Sequence, residues 1–102
     1  MGKSFIEQPL EFRRVAADVV YRFLPDAPRN NKPTWKRVDK DLWLLWKDTS
    51  GWCVVDQHGL ELSWPMPGEE VVRNHGEIPP EGIWLSKKGH KQYTYRLLSV
   101  AS

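Results

Sequence analysis

The chain has 102 residues, 12% of them aromatic, and its 15 lysine and arginine residues against 13 aspartate and glutamate residues leave a net charge of +2. This balance excludes recognition of nucleic acid or of an anionic membrane by net charge alone, and no apolar run approaches the ~20 residues of a membrane-spanning helix. One cysteine excludes an internal disulfide. The N-terminus lacks a signal-peptide pattern. Together with the single cysteine, this predicts a single cytoplasmic domain over 1–102, in which residues 1–7 are flexible.

The first predicted element lies in PLEFRRVAADVVYRFLP, residues 9–25. Apolar residues recur there at helical spacing, and Pro9 and Pro25 suit the start and the end of a helix. The second half, DVVYRFL, is β-branched and aromatic as in a strand. The pattern predicts a short helix near 8–16 and a strand near 18–24, and periodicity alone leaves open whether 9–24 is helix, strand or both.

The rest of the chain predicts antiparallel strands. APRNNKP, residues 27–33, indicates a loop, and TWKRV, residues 34–38, a strand. Turns at DTSG and QHG predict a three-stranded meander over about 42–47, 52–56 and 60–64. In the proline-rich stretch that follows, EVVR predicts a short edge strand. The chain then closes with a predicted hairpin of two strands, 82–86 and 92–100, joined by the turn KKGH.

The predicted fold is therefore mostly β, an antiparallel meander or small partly open barrel of five to seven strands with one short N-terminal helix. Both faces of the meander are apolar. If the DTSG turn pairs Lys47 with Trp52, then Trp46 and Cys53 share one face, and Trp43 and Trp52 share the other. Trp43 and Trp52 are then either the inside of a barrel or an exposed ligand platform.

The sequence predicts a protein without catalysis, cofactor or metal. His75, Gly76 and Glu77 match part of a zinc deaminase motif, but that motif needs two further cysteines. Cys53 lies in a predicted strand among apolar residues, where a buried and inert thiol is usual. An enzyme would require a fold that gathers His75, Glu77 and Cys53 into one cleft.

The candidate ligand site is the connection between two tryptophans. Binding residues favour loops set on a rigid scaffold, and this connection combines aromatic and polar side chains. We expect the tryptophans to stack on a protein, peptide or glycan ligand and the polar residues to orient it; alternatively, the tryptophans only anchor the loop. The predicted site residues are Trp64, Met66, Arg73, Asn74, His75 and Trp84.

Two other functions are open at this point. Basic stretches that interleave with Trp35, Tyr93 and Tyr95 are typical of single-stranded nucleic-acid binding. The basic residues are Arg29, Lys32, Lys36, Arg37, Lys87, Lys88 and Lys91. The acidic residues between 69 and 81 suit an intracellular inhibitor or immunity-type protein that meets a basic target.

Several short motifs follow one another in an order that resembles a known family. YRFLPDAPRNNKPTWKR, LWLLW, GWCVVD and IPPEGIW, within residues 21–85, resemble a Trp-rich β module that recurs in large multidomain proteins of unicellular eukaryotes and algae. The resemblance implies a non-enzymatic interaction module of unknown ligand. The matching positions are Asn30, Pro33, Trp35, Lys36, Leu44, Trp46, Trp52, Pro79, Pro80 and Trp84.

Overall fold

Eight antiparallel strands form a closed barrel in the computed structural model, which describes residues 8–66 and 78–100. Each strand pairs with the next along the chain, and the last pairs with the first. The strands are β1 (Leu10–Arg14), β2 (Val20–Arg29), β3 (Lys32–Arg37), β4 (Leu42–Lys47), β5 (Gly51–Asp56), β6 (Glu61–Pro65), β7 (Gly82–Lys88) and β8 (Lys91–Ser99).

Side chains alternate between the inside of the barrel and its surface, as they must along a strand. One end of the interior is filled by large residues that are almost completely buried. Because these aromatic and aliphatic side chains interdigitate, this half of the barrel is a packed core. The residues that fill it are Leu10, Trp35, Leu44, Trp52, Trp84 and Leu97.

The predicted N-terminal helix is wrong, and so is the strand count of five to seven. Residues Leu10–Arg14 form a strand, and the described part of the chain contains no helix. The physical reason is that β1 pairs on both sides, with β2 (Phe12 with Tyr21) and with β8 (Phe12 with Leu97). Closure of the sheet removes both of its edges, which outweighs the local helical spacing.

Residues 27–33 are not a loop. β2 continues to Arg29, and Asn30 and Asn31 connect it to β3 with positive φ angles of 56° and 61°. Two left-handed residues between the paired Arg29 and Lys32 make a tight hairpin turn, and asparagine tolerates this conformation better than most residues.

The meander is confirmed, but its register differs by one residue from the prediction. Lys47 pairs with Gly51, whose φ is 82°, and Trp46 pairs with Trp52. A slip of one residue moves every side chain of a strand to the opposite face. Trp52 is therefore in the barrel core, whereas Cys53 faces outward into a small second cluster. The predicted hairpin of the last two strands is confirmed, and the predicted edge strand EVVR lies outside the described residues.

Candidate functional site

The barrel is hollow at one end. A cavity of about 210 Å³ opens at the end that carries the loops 15–19, 38–41, 57–60 and 89–90. The hollow has a local cause in the sequence. The neighbouring inward positions on β6 and β7 are Ser63 and Ser86, which pair directly, and their small side chains leave the space that larger residues occupy at the other end.

The floor and the walls of the cavity are mainly apolar and aromatic. Phe12 forms the floor, with its ring 5.2 Å from that of Phe23 and 5.4 Å from that of Tyr95. Phe12 also contacts Trp84, so it separates the cavity from the packed half of the barrel. Leu42, Val54, Leu62, Tyr21 and Tyr93 complete this part of the lining.

Arg14 is the inward residue of β1 at the mouth. Its Nε and Nη2 donate to the Tyr95 hydroxyl at 3.3 and 2.8 Å, and Nη2 also donates to the Tyr21 hydroxyl at 3.4 Å. Its guanidinium carbon lies 4.3 Å from the centre of the Tyr93 ring, in a cation–π contact. The hydrogen bond to Tyr95 raises the pKa of Arg14 above its usual value. Among the described residues, no carboxylate lies within ion-pair distance of Arg14.

Arg37 is the second arginine of the cavity, but its charge is compensated. Nε lies 2.6 Å from Asp39 Oδ1 and Nη2 lies 3.1 Å from Oδ2, a two-pronged pair, and the guanidinium stacks 3.5 Å from the centre of the Tyr21 ring. The hydrogen bonds from Arg37 lower the pKa of Asp39. Arg37 therefore has a structural role in the wall, and Arg14 is the arginine whose charge is available to bind an anion.

The charged residues that line the cavity are all cationic in the described part of the chain. Five cationic side chains line the cavity, and the described residues add no aspartate or glutamate to this lining. The three lysines form no ion pair within the part of the chain that the structure describes. Arg37 is paired with Asp39, and Lys87 Nζ lies 5.9 Å from the ring centre of the outward Trp64, so the attraction for an anion at the mouth comes from Arg14, Lys40 and Lys88. The five are Arg14, Arg37, Lys40, Lys87 and Lys88.

The residues predicted to bind ligand are not brought together in the described part of the chain. Trp64 and Trp84 lie on neighbouring strands, but Trp64 pairs with Leu85 on the outer face, and Trp84 is fully buried inside. The Trp84 indole donates to the Pro80 carbonyl at 2.9 Å. Met66 is exposed beside this strand pair. Arg73, Asn74 and His75 lie outside the described residues.

The basic stretches lie partly at the mouth and partly on the outer wall. Trp35 is fully buried, so it offers no face for a base to stack on. Two tryptophans of this region are half-buried: Trp46, with Lys32 Nζ 5.1 Å from its ring centre, and Trp43, which Arg29 and Lys36 flank at 4.8 and 5.6 Å from its ring centre. Its indole nitrogen donates to Asp26 at 3.1 Å. A carboxylate within this group lowers its attraction for a phosphate backbone.

Sequence reasoning missed the role of Arg14 and of the two serines. The alternation Leu10, Phe12, Arg14 does signal an inward arginine, but only if the segment is a strand. Ser63 and Ser86 carry no signal by themselves, because the hollow depends on their meeting across β6 and β7.

Of the constellation weighed for catalysis, only Cys53 lies in the described part of the chain. Cys53 is buried in the outer cluster, and His75 and Glu77 lie outside the described residues. Within 8–66 and 78–100, no three or more histidine, cysteine, aspartate or glutamate residues cluster as metal ligands. In the same ranges there is no helix that could cross a membrane.

Comparison with family models, with characterised proteins and with solved structures finds no match for this chain. The resemblance to the Trp-rich β module therefore stays a prediction.

Proposed function

We propose that this protein is a small non-enzymatic binding module that recognises its ligand through an anionic group held at the barrel mouth. The observation that carries the proposal is Arg14, a cation fixed by Tyr21, Tyr93 and Tyr95 but without a carboxylate partner in the described chain. A fixed guanidinium with free N–H donors binds a carboxylate or phosphate strongly, by donating charge-assisted hydrogen bonds to its oxygens.

Binding without catalysis is favoured by what lines the cavity. The described lining has no histidine, cysteine, aspartate or glutamate, the side chains that most often take or give a proton near neutral pH. Of its two serines, Ser63 donates to Ser86, and the described lining places no base beside them that would activate a nucleophile.

Among the partner classes that the sequence leaves open, the charge of the mouth favours an acidic protein or peptide over a neutral glycan. Single-stranded nucleic acid remains the alternative, since Lys87, Lys88 and the half-buried Tyr93 lie at the same mouth. A role as inhibitor of a basic target would use another surface, in the acidic stretch 69–81, most of which lies outside the described residues.

A titration of isotope-labelled protein by NMR tests the proposal, with four probes: acetate, inorganic phosphate, a hexaglutamate peptide and an oligothymidylate of six nucleotides. We expect at least one anion to shift the signals of Arg14, Tyr21 and Lys87. Arg14→Gln should weaken that binding about 10- to 100-fold, since a charge-assisted hydrogen bond contributes roughly 1.5–3 kcal/mol.

The matched control is Arg13→Gln. Arg13 is the next residue of β1, but it faces outward, is 58% exposed and pairs with Glu11 at 3.0 Å. Its loss should leave binding unchanged and cost little stability. If no probe shifts the NMR signals of residues at the mouth, the proposed function is wrong. It is also wrong if the Arg14→Gln variant binds the anion as tightly as the Arg13→Gln variant does. Preference for the oligothymidylate over hexaglutamate, with steep dependence on salt, would select the nucleic-acid alternative.

A further inference from the structure

The cavity behind Arg14 has the size of one ring and a few further atoms. Its volume is about 210 Å³, whereas an apolar protein cavity of roughly 150 Å³ holds benzene and pockets for drug-sized ligands begin near 300 Å³. A nucleotide or a disaccharide exceeds this space. A bare inorganic anion would leave most of the space to water against apolar walls.

The walls divide into an apolar inner part and a cationic outer part. Phe12, Phe23, Leu42 and Val54 surround the inner part, and Arg14 lies at the outer part with its charge uncompensated in the described chain. A neutral ring would satisfy only the inner part. Only a ligand with an apolar body and a negative group at one end matches both.

Arg14 has hydrogen-bond donors to spare. A guanidinium has five N–H donors, and the three hydrogen bonds to Tyr95 and Tyr21 use the one on Nε and the two on Nη2. Five minus three leaves the two donors on Nη1. The Tyr93 ring fixes the plane of the guanidinium, so these donors are held in place before the ligand arrives, which lowers the entropic cost of binding.

A second polar group lines the cavity. Ser63 donates to Ser86 Oγ at 2.9 Å, which leaves the hydroxyl hydrogen of Ser86 available to an acceptor on the ligand. The cavity thus has one strong anion donor at the mouth and one neutral donor in the wall.

We propose that the cavity binds a ring-sized apolar body that bears one carboxylate, with the body against Phe12 and Phe23 and the carboxylate on Arg14. This inference rests on the proposed function and names its ligand chemistry. The same chemistry could come from a free aromatic acid or from the carboxy-terminal aromatic residue of a peptide, and the experiment distinguishes the two.

The test compares phenylacetate with phenylacetamide, its neutral counterpart, and with acetate, which lacks the ring, by NMR titration. We expect phenylacetate to bind at least tenfold more tightly than acetate, because burial of each methylene-sized group contributes roughly a fourfold gain in affinity. We expect a similar margin over phenylacetamide, because a hydrogen bond to a charged group contributes roughly a 10- to 100-fold gain in affinity. The Arg14→Gln substitution should lower the affinity for phenylacetate to that for phenylacetamide. A tripeptide Gly-Gly-Phe with a free and with an amidated carboxyl terminus then shows which source is preferred.

A cavity-filling variant distinguishes the contribution of the ring to binding from the contribution of the charge. Ser86→Leu places an apolar side chain in the space for the ring and should weaken the binding of phenylacetate at least tenfold more than it weakens the binding of acetate. Thr94→Leu adds the same side chain on the exposed outer face of β8 and should change neither affinity. Signal dispersion in the NMR spectrum verifies that each variant is folded.

The two proposals fail differently. If acetate or hexaglutamate binds through Arg14 but phenylacetate binds no more tightly than acetate, the ring-sized ligand is wrong and the anion-binding function stands. If phenylacetate binds equally well to the Ser86→Leu variant, the ring is not in the cavity and the inference is likewise overturned. If no anion binds at all, both proposals fall.

Discussion

Three buried tryptophans differ in the hydrogen bond of the indole nitrogen. Trp35 donates to the Gln8 carbonyl at 2.8 Å and Trp84 to the Pro80 carbonyl at 2.9 Å, whereas Trp52 Nε1 is buried without an acceptor among the described residues. A buried donor without a partner has lost its water and gained nothing in exchange. The Trp52 ring therefore stabilises the core at a cost that the other two avoid.

This difference predicts the outcome of three substitutions that remove the same atoms. Trp52→Phe should lower the free energy of unfolding by about 1 kcal/mol less than Trp35→Phe or Trp84→Phe, because only the last two break a hydrogen bond. Urea unfolding of the three variants measures the difference. An equal or larger loss for Trp52→Phe would mean that ring volume alone decides the stability.

Asp56 gives the turn between β5 and β6 a dependence on pH. Its Oδ1 accepts hydrogen bonds from the backbone N–H of Leu60 at 3.0 Å and of His58 at 2.8 Å. The bond from Leu60, with a smaller contribution from His58, lowers the pKa of Asp56 in the folded protein. A carboxyl group with a lowered pKa stabilises the fold above its unfolded pKa of about 3.9, and this stabilisation is lost as the pH falls through the folded pKa.

We therefore expect the wild-type protein to lose more stability than Asp56→Asn between pH 5 and pH 2. The asparagine keeps an oxygen that accepts from the turn but does not titrate, so the difference isolates the charge. Thermal unfolding across this pH range measures it. Parallel pH profiles for the two proteins would contradict the assignment.

The hairpin of β2 and β3 depends on two residues in the left-handed region. Asn31→Gly should raise the free energy of unfolding by about 0.5–1 kcal/mol, since Asn-Gly is the favoured pair for a two-residue turn with both φ angles positive. Asn30→Ala should lower it by about 1–2 kcal/mol. It also removes the hydrogen bond from Asn30 Nδ2 to the Trp46 carbonyl, which ties the turn to β4. Chemical unfolding measures both, and a stabilised Asn30→Ala variant would contradict this account of the turn.

The local patterns of the chain contain the hairpins but not the closure of the barrel. The predicted strands 42–47, 52–56 and 82–86 lie within the observed strands 42–47, 51–56 and 82–88, because they follow from short runs of apolar, β-branched and aromatic residues between turn residues, which are properties of neighbouring positions. β1 is only five residues long, too short for a period of 2 to be told from one of 3.6. Its state is decided by pairing of Leu10 with Ser99, which no local window includes.

The same limit explains what was missed in the candidate site. Tryptophans at the ends of a long connection favour that connection as a binding site, but the orientation of Trp84 follows from its pairing with Pro65 and Tyr95 inside the barrel. The cavity exists because Ser63 lies opposite Ser86, 23 positions further along the chain. Composition and spacing cannot contain a juxtaposition that only the register of two strands creates.

The molecule divides its interior between two tasks. The packed half buries the apolar side chains on which the stability of a domain of this size depends. The hollow half lacks such packing, because its interior is the cavity in which the proposed ligand binds. Phe12 stands between the two halves and lies on the strand that closes the barrel. Closure therefore builds both the end of the core and the wall that carries Arg14.

Closure is also the pairing with the longest loop, since β1 and β8 join residues near 10 with residues near 99. A long loop has to be closed before its contacts stabilise the chain, so hairpin contacts can form earlier than the seam between β1 and β8. Leu44 on β4 and Leu97 on β8 test this order, because both are almost completely buried and truncation of either to alanine removes the same atoms.

Each truncation should lower the free energy of unfolding by about 2–5 kcal/mol. Leu97→Ala should act mainly by faster unfolding, because its contacts form after the transition state, whereas Leu44→Ala should also slow folding. Stopped-flow measurement of folding and unfolding rates across a urea series separates the two effects. A folding rate that Leu97→Ala lowers as much as Leu44→Ala would show instead that the barrel closes before its rate-limiting step.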